Sequence, residues 1–143
     1  MRAMNPKDAV KFYMEESILC IPPTGNAFQA ACLMEKDKIT SLMVKEEGAY
    51  VGFLTEGDLS RKVMAAEKDP KSTLIKEIMC KPIHSIHMEK SMPMAFVEMR
   101  KHNIRHLAVD DGKDIIGVLS IKDFANFVLN KLNSAHSATT PVK

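Results

Sequence analysis

The chain states one phrase twice. GFLTEGD, Gly52 to Asp58, is followed sixty-five residues later by GVLSIKD, Gly117 to Asp123. Sliding the sequence against itself by that offset aligns the two halves without a gap, so a duplicated supersecondary unit must organise the fold. Lys11 falls on Lys76, Met14 on Met79, Ile18 on Ile83 and Ile21 on Ile86. Further on, Ala30 meets Ala95, Met34 meets Met99, Leu42 meets Leu107, Val44 meets Val109 and Leu54 meets Leu119. Most of these matches are apolar and require only that both halves share a core. The hydroxyl and carboxylate at the end of each phrase are different, because packing alone does not demand them.

Each half spells the same order of elements. A short helix (DAVKFYM, then TLIKEIM) precedes a brief strand, ILCI or its counterpart IHSI. A second helix starts near Gly25 and near Ser91; in the latter, Met92, Ala95, Phe96 and Met99 recur at three- and four-residue spacing. Ser91 with Pro93 makes a cap followed by proline in the first turn. Two strands then flank a tight turn: ITSLMV and YVGFLT around KEEGA, and IRHLAV and DIIGVLS around DDGK, with Gly48 and Gly112 supplying backbone freedom. A closing helix follows each, Gly57 to Ala66 and Lys122 to Leu132. With Asp69-Pro70-Lys71-Ser72 as the link, the first repeat is expected at residues 8–70 and the second at 71–133. The small polar composition of residues 134–143 predicts a disordered tail.

This tandem β-α-β-β-α order, each half closed by G-h-h-[ST]-x-x-D, resembles a pair of cystathionine-β-synthase (CBS) domains over about residues 8–133. The resemblance implies an α+β fold whose two repeats are related by a pseudo-twofold axis, with clefts between them that take adenosine derivatives. AMP, ADP and ATP are the first candidates, NAD and S-adenosylmethionine the next, and no cofactor is required. It also implies a homodimer formed through helices, and a stand-alone regulatory module, not an enzyme, that reports to an unknown effector protein.

One carboxylate can accept a hydrogen bond from each hydroxyl of a ribose diol, and ionisation strengthens both. The resemblance gives that role to Asp123 and Asp58, with Ser120 and Thr55 donating to the ribose or a phosphate oxygen. The residues read by themselves leave a second account open, in which both Asp side chains simply cap the helices that follow. Base selection is expected from the edges of the first strands, Ile86 and His87 in one half and Ile18, Cys20 and Ile21 in the other. In the second half Arg105 and His106 stand where family members often place basic ligand contacts, although Ala108 replaces a common proline. The first half has Asp37, Thr40 and Ser41 at the matching positions, so the second half is expected to hold nucleotide better. Arg61 is a candidate for neutralising phosphate bound by the other repeat, whereas Lys62 reads as a contact to solvent or Glu67.

Other classes find little support. The net charge of +2 is small and mixed in sign, and aromatics are sparse (no Trp, two Tyr, six Phe), which disfavours nucleic acid polymers. Three widely spaced cysteines, Cys20, Cys32 and Cys80, suggest neither a disulfide framework nor a zinc knuckle and fit a cytoplasmic chain. No stretch approaches the roughly 20 apolar residues of a membrane span. His84, His87, His102 and His106 lack the cysteine or paired carboxylate neighbours of a metal site. No Ser/His/Asp, Cys/His or paired-carboxylate arrangement supports catalysis.

Overall fold

A computed structural model describes residues 4–139. The chain divides into two units, one running Ile18–His84, the other joining the stretch up to Ser17 to the stretch from Ser85 onward. In chain order, two 3-10 turns (Pro6–Asp8 and Val10–Phe12) precede β1 (Cys20–Ile21), α1 (Ala27–Asp37), β2 (Ser41–Glu46) and β3 (Ala49–Thr55). Then come α2 (Glu56–Asp58), a π-helical segment (Leu59–Met64), α3 (Ile75–Ile78), β4 (Ser85–His87), α4 (Met92–His102), β5 (His106–Asp110), β6 (Ile115–Ser120) and α5 (Ile121–Thr139). Each unit holds one three-stranded mixed sheet with helices, so the fold is α+β with two matching repeats.

In the Ile18–His84 unit, β1 runs parallel to β2 and β2 antiparallel to β3. Glu46 pairs with Ala49 across a two-residue turn, Glu47-Gly48, in which both residues have positive φ (50° and 81°). That is the backbone twist a tight hairpin needs. Helix α1 is started by a reciprocal cap: Asn26 accepts from the Gln29 amide and Gln29 accepts from the Asn26 amide. Its buried residues Ala27, Ala30 and Met34 follow the three- and four-residue spacing of one face. They pack with Leu42, Val44, Leu54, Ile75 and Ile78 in one core.

The second unit repeats this arrangement with β4, β5 and β6, down to a register shift at Val109/Asp110 that matches the one at Val44/Lys45. Its core gathers Val10, Ile86, Met92, Met99, Leu107, Val109, Leu119 and Phe127. Val10 comes from the N-terminal 3-10 turn, and Tyr13 meets Phe127 edge-on at 5.4 Å. The lead-in of the first repeat therefore completes the core under the second repeat's sheet. Conversely, Ile75 and Ile78, from the lead-in of the second repeat, are fully buried in the core under the first repeat's sheet.

This exchange explains the glycine of the duplicated phrase. Glu15 bridges Val118 as Cys80 bridges Phe53, laying each lead-in along the last strand of a sheet. A Cβ on Gly117 would lie 2.7 Å from the Met14 sulfur and 3.0 Å from the Glu15 carbonyl oxygen. On Gly52 it would lie 2.5 Å from the Met79 sulfur. The two glycines clear space for two matching methionines, and φ plays no part.

Three sequence expectations change. DAVKFYM forms 3-10 turns instead of an α-helix. The first closing helix is a short α turn that widens into π geometry, Ala65 donating to the Ser60 carbonyl five residues back. Finally, α5 continues to Thr139, so residues 134–139 of the expected tail are helical, while residues 140–143 lie outside the described residues. The stretch Asn133–Thr139 contains neither Gly nor Pro, so small polar side chains lower helix propensity there without breaking the helix. No described helix is long and apolar enough to cross a membrane.

Candidate ligand-binding corners

Strand β6 ends at Ser120 and α5 begins at the next residue. The Ser120 amide donates to Asp123 Oδ2 at 2.8 Å and the Ser120 hydroxyl to the same oxygen at 3.2 Å. At the other corner the Thr55 amide and hydroxyl donate to Asp58 Oδ2 at 2.9 and 3.2 Å, and the Asp58 amide donates back to Thr55 Oγ1. Helix capping is thus part of what the repeated hydroxyl and carboxylate do. It occupies one carboxylate oxygen and leaves the other to its surroundings.

Those surroundings differ. Asp58 is 2% exposed. Its Oδ1 receives Lys62 Nζ at 2.9 Å, and the Cys80 thiol lies 3.4 Å away. Lys62 also donates to the Ile78 carbonyl. Burial pulls the Lys62 ammonium down, but the hydrogen bond and charge of Asp58 outweigh it and the net shift is upward. Burial, then the Asp58 charge, pushes the Cys80 thiol up. Asp123 is only half-buried, and among the described residues no protein donor meets its Oδ1. Burial raises the Asp123 carboxyl above its ordinary value, and the charge of Glu15 adds to this against the Ser120 hydrogen bonds.

The 65-residue offset makes the contrast local. Phe127, buried in the core, stands where the first corner has Lys62, and Glu15 stands where it has Cys80. One carboxylate faces an ammonium and a thiol; the other has a carboxylate nearby and no cation four residues on. None of Lys62, Cys80 and Glu15 was singled out as a ligand contact from sequence. Lys62 pairs with Asp58 instead of Glu67. The i,i+4 spacing of Asp58 and Lys62 was a readable signal, as was the Glu15/Cys80 mismatch in the aligned repeats.

The other candidates spread out. Arg105 immediately precedes β5, is exposed, and its carbonyl accepts from Ile121 at the first turn of α5; His106 pairs with Ser120 in register. These two sit at the level of Asp123. Ile86 is buried in the core and His87 pairs with Asp110, at the opposite end of β5 from the Ser120 corner. At about 3.3 Å per residue, His87 lies ~13 Å along the strand from the level of Ser120. His87 Nδ1 accepts instead from the Glu89 amide. In the first unit Ile18 directly precedes Leu19, whose carbonyl accepts from Met43, while Cys20 and Ile21 pair with Met43 and Val44, farther up the strand than Ser41 and Thr55. Cys20 and Ile21 line an open, mainly apolar pocket of about 470 Å³ with Pro22, Phe28, Cys32 and Lys36. Arg61 is exposed and its guanidinium folds over Gly57, where a Cβ would lie 2.6 Å from it. Among the described residues, no three His, Cys, Asp or Glu side chains gather as a metal site would need.

The family model for the CBS domain matches residues 8–65 and 75–130. The CBS domain-containing protein YhcV of Bacillus subtilis is 29% identical over 135 residues, spanning 94% of both chains. Among solved structures, that of the CBS domain NE2398 superposes with a TM-score of 0.78 at 31% identity, covering 85% of this chain and 97% of that one. The CBS domain pair of MJ0100, solved in complex with 5′-methylthioadenosine and S-adenosyl-L-methionine, gives 0.76 at 25% identity and covers 86% and 97%. With both repeats matched and their sheets, bulges and capped corners laid out in parallel, the chain belongs to the CBS-domain family and carries the domain as a tandem pair.

Proposed function

We propose that this chain is a regulatory module that reversibly binds an adenosine nucleotide or adenosyl compound at the Ser120–Asp123 corner and transmits occupancy as a change of conformation or dimer geometry. The observation carrying this reading is the state of Asp123: one oxygen is fixed by Ser120, while the other has no protein donor among the described residues. A ribose diol offers the hydroxyl donors that oxygen lacks, and the exposed Arg105, whose carbonyl accepts from Ile121 at the start of the same helix, suits a phosphate. The adenosyl ligands of the MJ0100 pair support the same chemical class. In this reading no bond is made or broken, and the role is sensing. The signal needs a ligand whose affinity differs between two states of the module.

The test is a thermal-shift titration of wild type, Asp123→Asn and Asp58→Asn against AMP, ADP, ATP, NAD and S-adenosylmethionine. A ligand at a hundredfold excess over its Kd adds about 2.7 kcal/mol to the folded state, a rise of several degrees. The expected result is a saturable rise in wild type that Asp123→Asn abolishes. No rise with any of the five, or one unaffected by Asp123→Asn, would refute the assignment.

A second reading, a dimerising scaffold, draws on the exposed apolar side chains Met94 and Val97 of α4 and Val128, Leu129 and Leu132 of α5. Helices that leave such residues in water suit a second copy or an effector protein. The two readings are compatible, since an interface on α5 would lie on the helix that Asp123 begins.

A further inference from the structure

We infer that Lys62 is a built-in occupant of the first corner, so that a chain with two copies of the ligand-binding phrase takes up ligand at only one of them. The inference rests on the nucleotide reading above and specifies which copy works and what silences the other.

A diol donates two hydrogen bonds and needs a carboxylate with lone pairs to spare. At the first corner the capping bonds take Asp58 Oδ2, and the Lys62 ammonium at 2.9 Å takes Oδ1, with the Cys80 thiol beside it. The side chain of Asp58 is 3% exposed, so there is little open surface from which a hydroxyl could approach. Lys62 is held from a second side by the Ile78 carbonyl at 2.9 Å, which fixes the ammonium over the carboxylate. With both partners charged, the ammonium–carboxylate contact adds the attraction of two opposite charges, which a neutral hydroxyl donor to the same carboxylate does not supply. Removing the cation alone would also leave a buried carboxylate uncompensated. The second corner shares the carboxylate cap but lacks this cation: its helix carries Phe127, packed into the core, at the matching position. The backbone differs to match, since α5 stays α-helical through Phe127 while Lys62 lies in the π-helical segment. The two corners thus differ in one basic side chain, in its anchoring and in the helix geometry that carries it.

The test is equilibrium dialysis of the intact chain with radiolabelled AMP and, separately, radiolabelled S-adenosylmethionine, counting ligand bound per chain at saturation. Wild type is expected to bind one, Asp58→Asn still one, and Asp123→Asn none, or with at least tenfold weaker affinity. Lys62→Met, which keeps the length of the side chain and removes the charge, is expected to bind two; Lys62→Arg is expected to remain at one. Thermal melts verify that each variant is folded. Two sites in wild type, loss of the single site in Asp58→Asn, or a single site in a folded Lys62→Met would overturn the inference while leaving the nucleotide reading intact. Absence of binding by wild type and every variant would overturn the nucleotide reading itself. In that case the closed corner is judged without ligand, by whether the Tm losses of Asp58→Asn and Lys62→Met are less than additive in the double variant. Strict additivity would mean the pair does not form in solution and would overturn it too.

Discussion

At the residue scale, Asp123 sets the chemistry of the second corner and gives it a pH signature. Its carboxyl is raised above the ordinary value of 3.8 by burial and by Glu15, so the folded state holds its proton more tightly than the unfolded state does. Stability from this residue is therefore fully present below the ordinary value and is lost as pH rises through the raised one. Glu15 and Lys122 are the charged groups felt there, and Lys122 acts in the opposite direction. Asp123→Asn should remove that loss. The denaturation midpoint of the variant relative to wild type should rise between acidic and neutral pH, read from urea melts across the range. A relative midpoint that falls over that interval would show the carboxylate to be stabilised in the fold. Binding has the opposite sign, because the diol needs the ionised form; adenosine-ligand affinity should weaken as the carboxylate is protonated. The proposed function thus sits on a residue whose charge is disfavoured by its own burial.

At the element scale, the short lead-ins matter more than their length suggests. Val10 and Ile75 are fully buried, one from a 3-10 turn and one from the four-residue α3, and each closes the core under the sheet of the other repeat. Ile75→Ala should cost about 2–5 kcal/mol, and truncating a fully buried valine about 1.5–3 kcal/mol at most. Native-state hydrogen exchange can locate the damage. Val10→Ala should lower protection in β4, β5 and β6, and Ile75→Ala in β1, β2 and β3; the reverse pattern would contradict the exchange. The strands, their turns and the amphipathic α1 and α4 were legible from periodicity, glycine placement and caps. The exchange was not, because an apolar Val10 announces burial without naming the sheet that buries it. The same limit hid Cys80 beside Asp58, a contact across twenty-two residues, and the parallel register of β4, which pairs His87 with Asp110 at the other end of β5 from His106. The Gly of the repeated phrase was read beside its Asp, yet its partner is a methionine of the opposite lead-in.

At the scale of the whole molecule, each unit takes its residues from both sides of the Asp69–Ser72 link, so cutting there should disable both at once. Fragments 1–70 and 71–143, made separately, should show no cooperative melt as monomers. Mixed, they should fold together with a Tm that rises with concentration, as association requires. A cooperative melt of either fragment as a monomer would show that its repeat closes its own core. The crossed lead-ins also bear on how such a chain could arise. A half-length ancestor with one repeat and its own lead-in would close its core only by trading lead-ins with a twin, a swapped pair held together by mass action. Fusing two such genes end to end would replace that bimolecular encounter with a tether. Once tethered, the copies no longer had to be identical, and a lysine could take hold in one corner while the other remained open.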